Sequence, residues 1–201
     1  MKLTLSSLLL CFTLITVSSC KKSNPTGPSN GQQILPLALG NTWLMQYTVY
    51  DTTGIVEGMI YDTAKAATDR TISGVTWYRI TSKVFGGFIA NESDGLWTYD
   101  SSSGGSSLVF KYPANVGDNW DAVMNTSIAY QVTVQSVNAT INVPKGTYTC
   151  YDYKMLLNSQ PGLEVYLSPG IGFVAMEVYS FTKSGRSYKQ AYGELTSVTL
   201  K

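Results

Sequence analysis

The sequence predicts an all-β domain, a single antiparallel meander of roughly nine to twelve strands that forms a strongly curved sheet or half-barrel. Three observations carry that expectation. Apolar and polar residues alternate with a period of two along several runs, turn-forming dipeptides separate those runs at short intervals, and little or no helix is legible outside the first twenty residues.

The chain opens with Lys2, an apolar run from Leu8 to Ile15, and the tetrapeptide Val17-Ser18-Ser19-Cys20. A charged start followed by a short apolar stretch is the outline of a secretory signal. The stretch falls short of the roughly 20 residues a spanning helix needs, and the Lys21-Lys22-Ser23-Asn24-Pro25 segment behind it is polar and helix-breaking. Residues 1–19 are therefore expected to be a cleaved signal peptide. Residues 20–33 hold Lys, Ser, Asn, Pro, Thr, Gly and Gln with nothing apolar to bury, so they read as a disordered tether. Residues 34–201 remain as one domain, long enough to bury a real core.

Within that domain Trp43, Met45, Tyr47 and Val49 fall on one side of a strand, and Gln46, Thr48 and Tyr50 on the other. Ile128, Tyr130, Val132 and Val134 oppose Gln131, Thr133 and Gln135 in the same way. Turns are expected at Ser73-Gly74, Gly86-Gly87, Ser93-Asp94-Gly95, Lys145-Gly146, Pro161-Gly162, Pro169-Gly170 and Ser184-Gly185.

One motif recurs. Pro36-x-x-x-Gly40-Asn41-Thr42-Trp43 returns 77 residues later as Pro113-x-x-x-Gly117-Asp118-Asn119-Trp120. Proline ends an incoming extended segment, Gly-Asn or Gly-Asp admits a positive φ in a tight turn, and tryptophan opens the next strand facing the core. Pro36, Gly40, Pro113 and Gly117 are thus expected to be structural turn positions. The functional alternative makes Trp43 and Trp120 an aromatic platform for a ligand, with Trp97 a third candidate.

Composition excludes several function classes. The chain has 14 Lys and Arg against 13 Asp and Glu, and loss of Lys2 with the signal leaves the two equal. Such balance gives no field to steer DNA or RNA, so no nucleic-acid partner is expected. There is no histidine, which removes His-dependent triads, His-ligated zinc and imidazole acid-base chemistry. The carboxylates Glu92 and Asp94, and Asp118 and Asp121, lie in turn segments, where solvated loops are the ordinary reading. Asp94, Asp100 and the Ser-Gly-rich segment 101–107 lack the ordered acidic spacing of a calcium loop. No catalytic residue, metal or cofactor is expected, and the protein reads as a non-enzyme. Cys11 leaves with the signal, so Cys150 has no partner for an intramolecular disulfide once Cys20 is acylated, and it is expected to be buried. The fourteen tyrosines suit a sheet that is wet on one side.

Val17-Ser18-Ser19-Cys20 resembles the bacterial lipobox, in which the cysteine receives diacylglycerol before cleavage and a further acyl chain, such as palmitate, on the freed amine. Together with "LPLALGNTW", "YPANVGDNW", "VPKGTYTCYDY" and "YLSPGIGFVAME", it is similar to Gram-negative lipoproteins of uncharacterised function. Those are distantly similar to the half-barrels of lipoprotein-localisation carriers, whose curved antiparallel sheet wraps an apolar cavity. The resemblance implies lipid attachment at Cys20, with two or three acyl chains holding the domain at a membrane at ~0.8 kcal/mol per buried methylene. It implies no catalytic residue. Lys21 stands where the enterobacterial inner-membrane retention signal has aspartate, so the outer membrane is the expected location. The function expected is a non-enzymatic envelope lipoprotein binding an apolar ligand or a partner protein on a curved sheet. The alternatives are a surface module for glycan or adhesion and, last, an enzyme using loop carboxylates.

Overall fold

Among the described residues twelve strands follow one another, each pairing with the next except β6 and β7: β1 (Thr42–Tyr50), β2 (Val56–Ile72), β3 (Val75–Thr81), β4 (Gly87–Glu92), β5 (Gly95–Tyr99), β6 (Ser106–Lys111), β7 (Asn119–Met124), β8 (Ile128–Val143), β9 (Gly146–Leu157), β10 (Gln160–Ser168), β11 (Gly172–Phe181) and β12 (Ser187–Thr199). The structure, a computed structural model, describes residues 32–124 and 128–201. The expected signal peptide 1–19, the lipidated Cys20 and the tether up to residue 31 lie outside the described residues.

All twelve strands join one antiparallel sheet in the order β6-β5-β4-β3-β2-β1-β12-β11-β10-β9-β8-β7. First and last strands pair at its middle, from Thr42 opposite Thr199 to Val49 opposite Ala191. The two free edges, β6 and β7, are consecutive in sequence, and the sheet curls until they meet. The seam between them is held by side chains. Trp120 Nε1 donates to the Leu108 carbonyl at 3.1 Å and the Val123 amide to Ser107 Oγ at 2.9 Å, while from β9 the Tyr153 hydroxyl donates to the Lys111 carbonyl of β6 at 2.7 Å. The result is an all-β, nearly closed barrel-like sheet, with no helix among the described residues.

Period-two alternation puts alternate side chains inside. Along β1, Trp43, Met45 and Tyr47 are buried while their neighbours are half-exposed. Along β8, Val132 and Val134 are buried, whereas Ile128 is exposed near the strand's start. The interior is one continuous apolar cluster, to which Ile34 and Leu35 before β1 and Phe85 after β3 add side chains from the connecting segments. Phe173 stands at its centre, edge-on to Trp43 at 6.0 Å and to Phe85 at 5.2 Å. These buried side chains, aromatic and aliphatic, form one contiguous cluster inside the sheet. Cys150 is fully buried, and burial, helped by Asp152, pushes its thiol up to about 12, so it is a small apolar group and no nucleophile at neutral pH.

The hairpin between β9 and β10 differs from expectation. The turn is Asn158-Ser159, both with positive φ (52° and 64°), the geometry of a two-residue hairpin. Pro161 and Gly162 lie inside β10 instead, at a register shift where β10 leaves the β9 ladder between Pro161 and Leu163. Proline without an amide is tolerated at such a bulge.

The repeated motif forms the same corner twice. Gly40 and Gly117 have φ of +90° and +87°. The Gly40 amide donates to Ala66 O at 2.9 Å and the Ala66 amide to Asn41 O at 3.0 Å. The Gly117 amide likewise donates to Val134 O at 2.9 Å, and the Val134 amide to Asp118 O at 3.0 Å. Each corner therefore pins the start of a short strand, β1 or β7, to the middle of the long strand that follows it. The chain is two six-stranded halves with the same opening.

Candidate functional site

The outer face of β3, β4 and β5 carries the most built surface feature. Leu96 points into the core, so its neighbour Trp97 points out, and Trp97 pairs across the ladder with Ala90. One position beyond the Tyr78–Ile89 pair, Trp77 flanks Ala90 from the other side. Ala90 itself is buried, at 1% exposure. In the adjacent row Phe88 pairs with Tyr99, and the Tyr99 ring lies 5.3 Å from Trp77 at 45°. The groove so formed has a volume of about 380 Å³, with Trp77 buried as its floor, Trp97 and Tyr99 half-exposed, and Glu92 and Asp94 on its rim.

Local hydrogen bonds fix these groups. Asp94 Oδ1 accepts from Trp97 Nε1 at 2.8 Å, which fixes the indole, and Oδ2 has no hydrogen-bond partner among the described residues. Asp94 sits in the β4–β5 turn, whose carbonyl accepts the Tyr112 amide at 2.9 Å. Gly95 follows with φ +145°, and any Cβ there would collide with the backbone of Phe110 and Lys111, so only glycine lets this turn approach β6. Beyond the groove the Arg70 guanidinium lies 3.8 Å over the Phe88 ring centre and 5.3 Å from that of Tyr99. Asp100 closes the loop beside the groove: its carboxylate accepts from Ser102 N, Ser102 Oγ and Ser103 Oγ, and these bonds hold it below the usual carboxylate range. That carboxylate is saturated within its own loop.

The three tryptophans singled out in the sequence are not brought together. Trp43 is fully buried, with Nε1 donating to the Ile171 carbonyl at 2.6 Å, so it offers no surface to a ligand. Trp120 is half-buried at the β6–β7 seam, edge-on to Tyr153 at 6.3 Å. Only Trp97 stands on the groove. Its partner there, Trp77, carried no motif: "VTWYRIT" reads as an ordinary strand, and only the β3–β4–β5 register sets it beside Trp97. Asp118 fastens the seam, accepting from Lys111 Nζ at 2.8 Å and the Asn115 amide at 3.1 Å, and both bonds lower its pKa.

A second group of titratable residues occupies the outer face of β9 to β12. Tyr166 donates to Glu164 and Tyr179 to Glu177, both at 2.6 Å, and Lys189 pairs with Glu177 at 2.6 Å. Asp152 lies in the same ladder opposite Tyr166, with Oδ1 buried and unpartnered among the described residues. Burial, then the charges of Glu164 and Glu177, push its carboxyl up to about 6.

The fold and the groove define a class: an up-and-down, barrel-like β domain with a packed interior and an aromatic groove on its outer wall. No family model and no curated protein matches the chain. Among solved structures it is similar to a candidate lipoprotein from Parabacteroides distasonis, at 15% identity and a TM-score of 0.44, covering 84% of this chain and 99% of that one. It is also similar to a candidate exported protein with a YmcC-like fold from Bacteroides fragilis, at 14% identity and a TM-score of 0.40, covering 84% of this chain and 100% of that one.

Proposed function

We propose that this protein is a non-enzymatic lipoprotein of the cell envelope, anchored in the outer membrane through Cys20, whose outer groove binds a carbohydrate. The anchor rests on Val17-Ser18-Ser19-Cys20 behind an apolar run, and the outer membrane on Lys21. The observation that carries the binding reading is a groove lined by Trp77, Trp97 and Tyr99, with the carboxylates of Glu92 and Asp94 on its rim.

A sugar ring has an apolar face of C–H bonds and an edge of hydroxyls. Fixed indole and phenol rings cover the first, and the free oxygens of Asp94 and Glu92 accept from the second. A volume of about 380 Å³ suits one or two sugar rings. An aliphatic ligand suits it less well, because its tail would desolvate the rim carboxylates without offering them a donor. The continuous cluster of buried apolar side chains inside the sheet supports a ligand on its outside, and this turns the reading from an enclosed apolar ligand to a surface glycan.

The test is retention of the full mature chain on a panel of defined oligosaccharides, followed by calorimetry on whichever is retained. Trp97→Ala should weaken binding at least tenfold while leaving the thermal midpoint nearly unchanged, since Trp97 is half-exposed. Retention of no panel member, or equal affinity of the Trp97→Ala chain, would remove the carbohydrate reading.

A further inference from the structure

The lower half of β2 is an unprotected sheet edge. β1 covers one side of it, from Tyr50 opposite Val56 to Thr42 opposite Lys65. β3 covers the other side only from Lys65 onward. Between Val56 and Tyr61 the outer row of amides and carbonyls therefore has no ladder partner among the described residues, over a length of about 20 Å. Both faces of this stretch are also exposed: Val56 and Ile60 at 54% and 45%, Met59 and Tyr61 at 62% and 57%, with Ile55 at 67% in the turn before it. Proteins ordinarily blunt such an edge with lysine, proline, a bulge or a covering loop. The run Val56-Glu57-Gly58-Met59-Ile60-Tyr61 holds neither lysine nor proline, and the one nearby register shift falls at its very start, at Val49/Tyr50 of β1. The outermost strands, β6 and β7, meet at the seam, and β8 beyond Val134 also runs past its β7 partner, but its exposed side chains there are the polar Gln135, Asn138, Thr140 and Asn142.

We propose that this edge is a homodimer interface, in which β2 of one protomer pairs antiparallel with β2 of its partner about a two-fold axis at Met59. The segment is self-complementary in that register. Glu57 falls opposite Tyr61, Gly58 opposite Ile60 and Val56 opposite Asp62, so no two like charges meet. The exposed side chains amount to an apolar patch on the order of 500 Å² per chain, and covering both gives on the order of 1,000 Å², the lower bound of a specific interface. The ladder groups decide against a bilayer as the occupant. Backbone amides and carbonyls carried unpaired into hydrocarbon each cost several kcal/mol, whereas a second strand satisfies them. This inference is independent of the carbohydrate groove, whose lining reaches β2 only at Ile72, the opposite end of the strand.

The experiment is sedimentation equilibrium of the full mature chain in density-matched detergent, with two variants. The wild-type chain should show a concentration-dependent dimer, and Met59→Lys should raise its dissociation constant at least tenfold by opposing two ammonium groups across the axis. Mild oxidation of Met59→Cys should give a disulfide-linked dimer, while Thr48→Cys, on β1 directly behind Met59, should not; the buried Cys150 does not compete. A chain that stays monomeric at high micromolar concentration overturns the proposal. So does a dimer indifferent to Met59→Lys, which places the interface elsewhere. An environment-sensitive dye on Met59→Cys that is blue-shifted in vesicles carrying one chain each would also overturn it, and would assign the edge to the membrane.

Discussion

The two corners built from the repeated motif share their turn and backbone bonds, yet one opens a closed junction and the other an open seam. At the first, β1 pairs with β12 in a full ladder, and Trp43 lies beneath it without exposure. At the second, β7 faces β6 without a ladder, and Trp120 stays half-buried. The residue after the glycine follows suit. Asn41 is buried at 1% exposure, and its neutral amide both donates to Pro36 O at 3.0 Å and accepts from the Lys201 amide at 2.9 Å. Asp118 is partly solvated and bonds a lysine instead. Turn grammar sets how a strand begins, and what lies beside the strand sets whether a charge is tolerated there.

The comparison can be broken most forcefully at the tryptophans. Trp43→Ala should cost about 3–5 kcal/mol in urea unfolding, because the cavity lies in the packed interior, and Trp120→Ala clearly less. Equal losses would show that the seam is as tightly packed as the ladder junction. Next comes the polar position. Asn41→Asp buries a carboxylate that cannot donate to Pro36 O, at a cost of roughly 2–4 kcal/mol at pH 7, recovered in part on acidification as the group protonates.

The glycines isolate the backbone. A Cβ on Gly117 meets nothing within 4 Å, so Gly117→Ala should cost only the positive-φ penalty, about 1–2 kcal/mol. Gly40→Ala adds displacement of the Lys201 side chain, whose Nζ would lie 2.7 Å away, and a difference between the two melting shifts would measure it.

Two carboxylates then titrate in opposite senses. Asp152 has its folded pKa raised, to about 6, above its unfolded value of 3.8, so stability is greatest below the unfolded value and falls as pH rises through about 6. Asp152→Asn should stabilise by on the order of 1 kcal/mol at pH 7, after discounting for its partial exposure, and should flatten that slope. Asp118 has its pKa lowered by Lys111 and the Asn115 amide, so its contribution is present above the unfolded value and lost as pH falls through the folded one. Its exposed ion pair makes Asp118→Asn the smallest effect, under about 1 kcal/mol, visible as a reduced acid sensitivity in thermal melts.

Much of the fold was legible because it rests on local rules. Alternation in "TWLMQYT" places Trp43, Met45 and Tyr47 inside, since a strand sends successive side chains to opposite faces. Pro161-Gly162 misled because dipeptide grammar cannot tell a turn from a bulge, and the neighbouring Asn158-Ser159 supplied the positive φ values that the hairpin needed. The groove was half legible. Trp97 announced itself as an aromatic beside a turn, but Trp77 lies twenty positions away, and nothing local marks it as a neighbour.

By itself the sequence determined the all-β class, the alternation that selects the core and the repeated Pro-x-x-x-Gly corner, because each is written in contiguous residues. Only the tertiary structure decided that the meander breaks between β6 and β7 rather than at its termini. The continuous apolar cluster inside the sheet, the meeting of Trp77 and Trp97 in one groove, and the bare edge of β2 came with it. All four depend on strand register and closure, which are set by packing between residues far apart in the chain.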